Sequence, residues 1–169
     1  ELGPANAYNL IAAGLVDEIR GEFDSADRHY QRAADIDRTL PDPHLSRGDL
    51  HMRLARFQEA QSAYAQAIAI APVDPRGYIS LAAYHEALGQ TDEAIDVYEQ
   101  GIAADKSRIE ALLSLGRLHQ SLGHLDEAEQ AYRRALAIAP AETTPYQELD
   151  SAQVPAEASA GAGQAYVAL

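Results

Sequence analysis

The chain has 169 residues, no cysteine, and 26 acidic against 13 basic residues, which gives a formal net charge of −13 at pH 7. This excess of carboxylates argues against nucleic acids and anionic membrane surfaces as partners, because affinity for polyanions comes largely from basic residues. The absence of cysteine excludes disulfides, thiolate metal sites and cysteine nucleophiles, and no apolar stretch reaches the roughly 18 to 20 residues needed to cross a bilayer.

Several residue types recur along the chain with a constant period of 34 residues. The period is set by four tyrosines: Tyr30, Tyr64, Tyr98 and Tyr132. An alanine stands four residues before each of them: Ala26, Ala60, Ala94 and Ala128. A further small position recurs sixteen residues before each tyrosine: Gly14, Gly48, Ala82 and Gly116. A period of this length predicts copies of one supersecondary unit, and small residues at fixed offsets are typical of closely packed helix pairs.

Each unit is predicted to contain two helices. The first helices are expected at residues 7–20, 42–54, 76–88 and 109–122, and the second helices at 24–37, 58–71, 92–104 and 126–139. Glycine follows three of the four first helices, at Gly21, Gly89 and Gly123, whereas Ala55 takes this position in the second unit. Glycine is favoured there because a left-handed helix cap carries no steric penalty without a Cβ atom.

The residues after Pro140 depart from the repeat. Thr144-Pro145, followed by Tyr146 and Leu149, predicts a short capping helix over residues 143–153 that covers the apolar end of the fourth unit. Residues 154–169 form an Ala/Gly-rich tail whose apolar end, Tyr166 to Leu169, is a candidate for docking into a groove. The chain starts at Glu1 rather than Met, which suggests a processed or trimmed product of a longer protein.

The repeated positions resemble the tetratricopeptide repeat family. The fourth unit carries the pattern most fully: Leu112, Leu115-Gly116, His119, Gly123, Ala128, Tyr132, Ala135 and Pro140. His51, His85 and His119 stand where the family usually has an aromatic residue. The repeats are placed at 7–40, 41–74, 75–108 and 109–142, which together with the capping helix form one predicted domain over residues 7–153. The resemblance implies an all-α fold, a right-handed solenoid of antiparallel helix pairs, with a concave face that binds peptides.

In this family the ligand face is built by residues of the first helices. Carried over to this sequence, the predicted peptide-binding residues are Tyr8, Ile11, Leu15, Leu45, Asp49, Met52, Arg53, Arg76, Ile79, Ala83, Glu86, Leu113, Arg117 and Gln120. Two interpretations of the aliphatic members stay open, because periodicity does not separate a groove from a core: they line the groove, or they pack between adjacent first helices. The arginines either clamp a ligand carboxylate or pair with neighbouring acids.

The sequence contains no pattern that predicts catalysis, a cofactor or a metal. It lacks a glycine-rich phosphate loop, a nucleophile elbow and a paired His-Glu metal helix. His51, His85 and His119 recur once per unit, about 10 Å apart by the packing distance of helices. Nitrogen ligands of zinc lie about 2.0 to 2.1 Å from the metal, so such a ladder does not fill one coordination sphere.

The leading hypothesis is therefore a non-catalytic scaffold that binds a peptide or protein segment. A second hypothesis is that the chain is the repeat portion of a larger enzyme or of a secretion or assembly component. A third is a structural protein that self-associates through its C-terminal tail. The compartment stays open between cytoplasm and periplasm, and the excess of arginine over lysine, with abundant alanine, is typical of a GC-rich bacterial gene.

Overall fold

A computed structural model describes residues 6–105 and 109–138 of the chain, and this described part is helical. It contains eight α-helices: α1 Ala7–Arg20, α2 Phe23–Ile36, α3 Asp42–Arg53, α4 Phe57–Ile70, α5 Pro75–Ala87, α6 Thr91–Ala104, α7 Ile109–Ser121 and α8 Leu125–Ile138. No strand occurs among these residues. The prediction of an all-α fold with two helices per 34-residue unit is confirmed.

The contacts divide the chain into two compact units, an N-terminal unit Glu1–Val97 and a C-terminal unit Tyr98–Leu169. In the N-terminal unit, α1 pairs with α2 and α3 pairs with α4 as hairpins, and α2 and α4 each pack against the first helix that follows. The first helices also touch one another, α1 against α3 and α3 against α5. In the C-terminal unit α7 pairs with α8. One continuous domain over residues 7–153 stays a prediction.

Three of the helix pairs are closed by a tyrosine ring that lies directly against a glycine of the first helix. A Cβ atom added to Gly48 would lie 2.2 Å from Cε1 of Tyr64, and one added to Gly14 would lie 2.5 Å from Cε1 of Tyr30. Gly116 and Tyr132 are related in the same way, with a distance of 2.3 Å. The small position and the tyrosine therefore recur together, because the ring occupies the space that a side chain would fill.

Two of these tyrosines, Tyr30 and Tyr64, also cover the next unit along the chain. Leu50 of α3 is fully buried against Ala26 and Tyr30 of α2, and Tyr84 of α5 is buried in a cluster with Ala60 and Tyr64 of α4. The second helices α2 and α4 thus bury apolar surface of both their own first helix and the following one. Burial of this kind supplies the main driving force for stacking helical repeats.

The first helices end in left-handed residues, as the sequence predicts. Gly21, Gly89 and Gly123 have φ of 77°, 71° and 77°, and Ala55, at the same position in the second unit, has φ of 54°. An L residue in this conformation is strained by contact between its Cβ atom and the backbone. Ala55 is accordingly a local weak point of the second helix pair.

The predicted capping helix 143–153 and the tail 154–169 lie outside the described residues. Among the helices that are described, none combines the length and the apolar character required to cross a membrane.

Candidate peptide-binding surface on the first helices

The N-terminal unit presents a surface formed by α1, α3 and α5, here called the first-helix surface. Between α3 and α5 it contains a depression of about 340 Å³, the α3/α5 depression. Its lining combines two aliphatic side chains with charged and hydroxyl groups: Asp42, Leu45, Ser46, Asp49, Arg76, Ile79 and Ser80. Four of the predicted ligand-binding residues, Leu45, Asp49, Arg76 and Ile79, are therefore brought together in one place.

The aliphatic positions of the first helices are mainly packing residues. Leu45 and Leu113 are buried, with 9% and 7% of their surfaces exposed, whereas Ile11 and Ile79 are half-buried. Ile11 packs against the cores on both sides of it, one around Leu10 and the other around Leu50. Of the two interpretations left open by the sequence, packing between helices thus describes Leu45 and Ile11, although Leu45 also reaches the depression together with Ile79.

The apolar part of the surface that solvent reaches lies mostly on α1. Tyr8 is 64% exposed and Leu15 is 50% exposed. Met52 on α3 is half-buried and packs against the core around Tyr64, while Ala83 and Glu86 on α5 are exposed. The remaining predicted residues lie on α7 in the C-terminal unit: Leu113, Arg117 and Gln120.

Both arginines of the first-helix surface bind carboxylates of the chain itself. Arg53 forms an ion pair with Glu18 across the α1 and α3 helices. Arg76 Nη1 donates to Asp42 Oδ1 at 2.8 Å, and its Nη2 donates to Asp74 Oδ2 at 2.7 Å. These hydrogen bonds raise the pKa of Arg76 further above its ordinary range. Of the two roles that the sequence leaves open for Arg53 and Arg76, the structure thus shows pairing with neighbouring acids.

The tyrosine hydroxyl groups provide contacts on the first helices that the sequence analysis missed. Tyr30 donates to Glu18 Oε1 at 2.5 Å, and Tyr132 donates to Gln120 Oε1 at 3.0 Å, each twelve residues earlier in the chain. In the second unit this position holds Met52, which has no oxygen, and Tyr64 instead donates to Asp49 Oδ1 at 2.7 Å. A comparison of the residues twelve positions before each tyrosine could have predicted these hydrogen bonds. Glu18 and Gln120 carry a side-chain oxygen at that position, whereas Met52 does not.

Asp49 is a carboxylate of this surface that forms no ion pair among the described residues. Its contact within the described residues is the Tyr64 hydroxyl, and no ion pair reaches it there. Desolvation by the surrounding helices raises the pKa of Asp49, the hydrogen bond from Tyr64 lowers it, and the nearby charge of Glu18 raises it again. The net direction is upward, because desolvation is the largest of these effects.

Two of the repeated histidines, His51 and His85, have separate partners. His51 Nε2 lies 3.4 Å from Asp27 Oδ1, and His85 Nδ1 lies 2.7 Å from Gln90 Oε1. Within residues 6–105 and 109–138, no three histidine, aspartate or glutamate side chains are grouped closely enough to hold a metal ion.

Comparison with known protein families agrees with this architecture. Two family models, both described as tetratricopeptide repeat, match residues 45–109 and 86–152, so that together they span residues 45–152. The chain belongs to the tetratricopeptide repeat family. A model described as anaphase-promoting complex subunit 5 matches residues 14–72 of this repeat protein. Members of the family typically act as non-catalytic scaffolds for protein interactions.

Solved structures with the same fold share little sequence with this repeat protein. A crystal structure of the MamA protein has a TM-score of 0.63 at 21% identity and covers 95% of this chain and 87% of its own. MamA from Desulfovibrio magneticus RS-1, from residue 41 to its end, has a TM-score of 0.62 at 20% identity, with 95% and 91% covered. The APC/C hetero-tetramer Cut9-Hcn1 has a TM-score of 0.63 at 16% identity, with 89% of this chain and 30% of that chain covered. No curated protein sequence matches the repeat protein significantly.

Proposed function

We propose that this tetratricopeptide repeat protein is a non-catalytic scaffold whose first-helix surface binds an extended or helical segment of a partner protein. The main support for this proposal is the composition of the α3/α5 depression. It has an aliphatic floor of Leu45 and Ile79 and a polar rim that includes Asp49 and Arg76. Its volume of about 340 Å³ suits a single large side chain, and pockets that bind ligands commonly combine apolar walls with a few polar groups.

The packing beneath the depression favours binding because it holds the helices in place before a ligand arrives. Tyr64 is almost fully buried against Gly48, and its hydroxyl fixes the side chain of Asp49. Arg76 ties α5 to α3 through Asp42. A preformed surface reduces the conformational entropy that binding would otherwise cost.

Exposed apolar side chains on α1 extend the proposed contact beyond the depression. Tyr8 and Leu15 expose half or more of their surfaces on the same helix. Fully burying a large apolar side chain contributes about 1.5 to 3 kcal/mol. Burial of these two side chains under a peptide would therefore contribute part of the binding free energy. The titratable groups nearby contact arginines and tyrosine hydroxyls, an arrangement that supports recognition rather than catalysis.

A blocking substitution tests the proposal. Linear peptides selected from a displayed random library against the full chain should bind the wild type and lose most of their affinity for Ser80→Tyr, whose ring fills the α3/α5 depression. Ser62→Tyr is the matched control, because Ser62 is exposed on the second helix α4. Titration calorimetry measures both. Peptides that bind Ser80→Tyr as tightly as wild type, or that lose affinity for Ser62→Tyr instead, would refute binding at this site.

A further inference from the structure

We infer that the bound segment carries a lysine or arginine next to an aliphatic residue, with its cation on Asp49 and the aliphatic group in the α3/α5 depression. The inference rests on the proposed function, since it specifies the ligand of that same surface.

The cations of the first-helix surface are already neutralised within the chain. Arg53 forms an ion pair with Glu18, and Arg76 forms ion pairs with both Asp42 and Asp74. An acidic ligand would therefore have to displace an internal carboxylate before it could bind either guanidinium. Displacing existing charge-assisted hydrogen bonds to make equivalent ones yields little net free energy.

Unlike Arg53 and Arg76, Asp49 forms no ion pair within the described residues. Its hydrogen bond comes from the Tyr64 hydroxyl, which is neutral, so the negative charge of Asp49 stays uncompensated. Asp49 is exposed in the lining of the α3/α5 depression, where a ligand can reach its carboxylate. An ammonium or guanidinium group placed here would form an ion pair with Asp49 and gain a charge-assisted hydrogen bond.

The floor of the depression suits the carbon chain of a basic residue or an adjacent aliphatic residue. Leu45 and Ile79 line the depression beside Asp49. Lysine and arginine side chains bury their methylene groups on apolar surface while the charged end reaches a polar partner. A purely apolar ligand would cover the same floor but would desolvate Asp49 without compensation, which is costly.

The charge of the whole chain favours the same class of ligand. A formal charge of −13 attracts basic segments over long distance and repels acidic ones, an effect that mainly changes the association rate. Because this attraction is not specific to Asp49, a test has to separate a local ion pair from the general field. Substitutions that remove one charge at different places achieve that separation.

The experiment uses linear peptides selected from a displayed random library against the full chain, measured by titration calorimetry. The variant Asp49→Asn removes the charge and keeps an oxygen that can accept the Tyr64 hydroxyl. The control Asp96→Asn removes one charge from an exposed position on α6 and so changes the net charge equally. Thermal unfolding of both variants verifies that they are folded.

The selected peptides are expected to share a lysine or arginine beside an aliphatic residue. Asp49→Asn should weaken their binding by about three- to tenfold, more at low salt than at high salt, and Asp96→Asn should leave it nearly unchanged. Peptides that lose affinity for Ser80→Tyr but are acidic or neutral, or are indifferent to Asp49→Asn, would overturn this inference and leave the proposed function intact. Peptides indifferent to Ser80→Tyr would overturn both.

Discussion

The contact between Gly48 and Tyr64 in the second helix pair leads to a quantitative prediction for Gly48→Ala. The added Cβ atom would lie 2.2, 2.5 and 2.8 Å from three ring atoms of Tyr64. Carbon atoms in contact are normally about 3.5 to 4.0 Å apart, so the ring has to retreat by about 1 Å or more. Tyr64 is buried and its hydroxyl is bound to Asp49, so it has little room for that movement.

Several contributions set the size of the effect. Overpacking a core costs about 1 to 3 kcal/mol, and disturbing the hydrogen bond between Tyr64 and Asp49 adds about 0.5 to 1.5 kcal/mol. Alanine is a better helix former than glycine by about 0.8 to 1.0 kcal/mol, which offsets part of the loss. The net expectation is a destabilisation of about 1 to 3 kcal/mol, or roughly 2 to 4 °C in melting temperature for each kcal/mol.

A double-mutant cycle isolates the contact. Urea unfolding followed by circular dichroism at 222 nm would compare Gly48→Ala in the wild type and in a Tyr64→Leu background. Leucine does not reach over the glycine as the ring does, so Gly48→Ala should there be neutral or stabilising by up to about 1 kcal/mol. An equal loss in both backgrounds, or no loss in the wild type, would refute the explanation of the repeated glycine.

Three further predictions concern strain, titration and a hydrogen bond in the N-terminal unit. Ala55→Gly should stabilise the protein by about 0.5 to 1 kcal/mol in the same urea assay because it relieves a positive φ, whereas Gly21→Ala should destabilise it by about 1 kcal/mol; the reverse order would contradict the role of the cap. Burial lowers the pKa of His51, against the raising effect of Asp27, so the folded state binds this proton less readily than the unfolded chain. The stability that the neutral, buried His51 contributes is fully present above the unfolded-state pKa of about 6.5 and is lost as the pH falls below it. His51→Gln should therefore flatten the decline in unfolding free energy between about pH 7 and 5.5. An identical slope for His51→Gln would show that this histidine is not responsible. Tyr64→Phe should cost about 0.5 to 1.5 kcal/mol by removing the hydrogen bond to Asp49, and an unchanged urea midpoint would indicate that the bond contributes nothing.

The helices were largely predictable because the repeat fixes both period and ends. The first helices predicted at 7–20 and 42–54 are observed at Ala7–Arg20 and Asp42–Arg53, and the second helix predicted at 24–37 is observed at Phe23–Ile36. The glycine caps and the spacing between glycine and tyrosine are local signals that can be recognised in one sequence without comparison to relatives. Gly21 and Ala55 also adopt the left-handed conformation expected of that position.

The candidate site was only partly predictable. Period alone places Leu45 and Ile79 on one helical face but does not show that Leu45 is buried while Ile79 is half-exposed, since that depends on how closely α3 and α5 approach. The sequence likewise left both roles open for Arg53 and Arg76, because their partners Glu18 and Asp42 are 35 and 34 residues away. Contacts between units of a repeat protein recur near the repeat length, so an offset of 34 residues is the sequence signal that could have identified them.

The most direct test of the central claim is an amide chemical-shift titration of the full chain with a peptide selected against it. The largest changes should occur at α3 and α5 around Leu45, Asp49 and Ile79, with smaller changes near Tyr8 and Leu15 on α1. Changes confined to the outer faces of α2 and α4, or spread evenly without a focus at the α3/α5 depression, would contradict ligand binding on the first-helix surface.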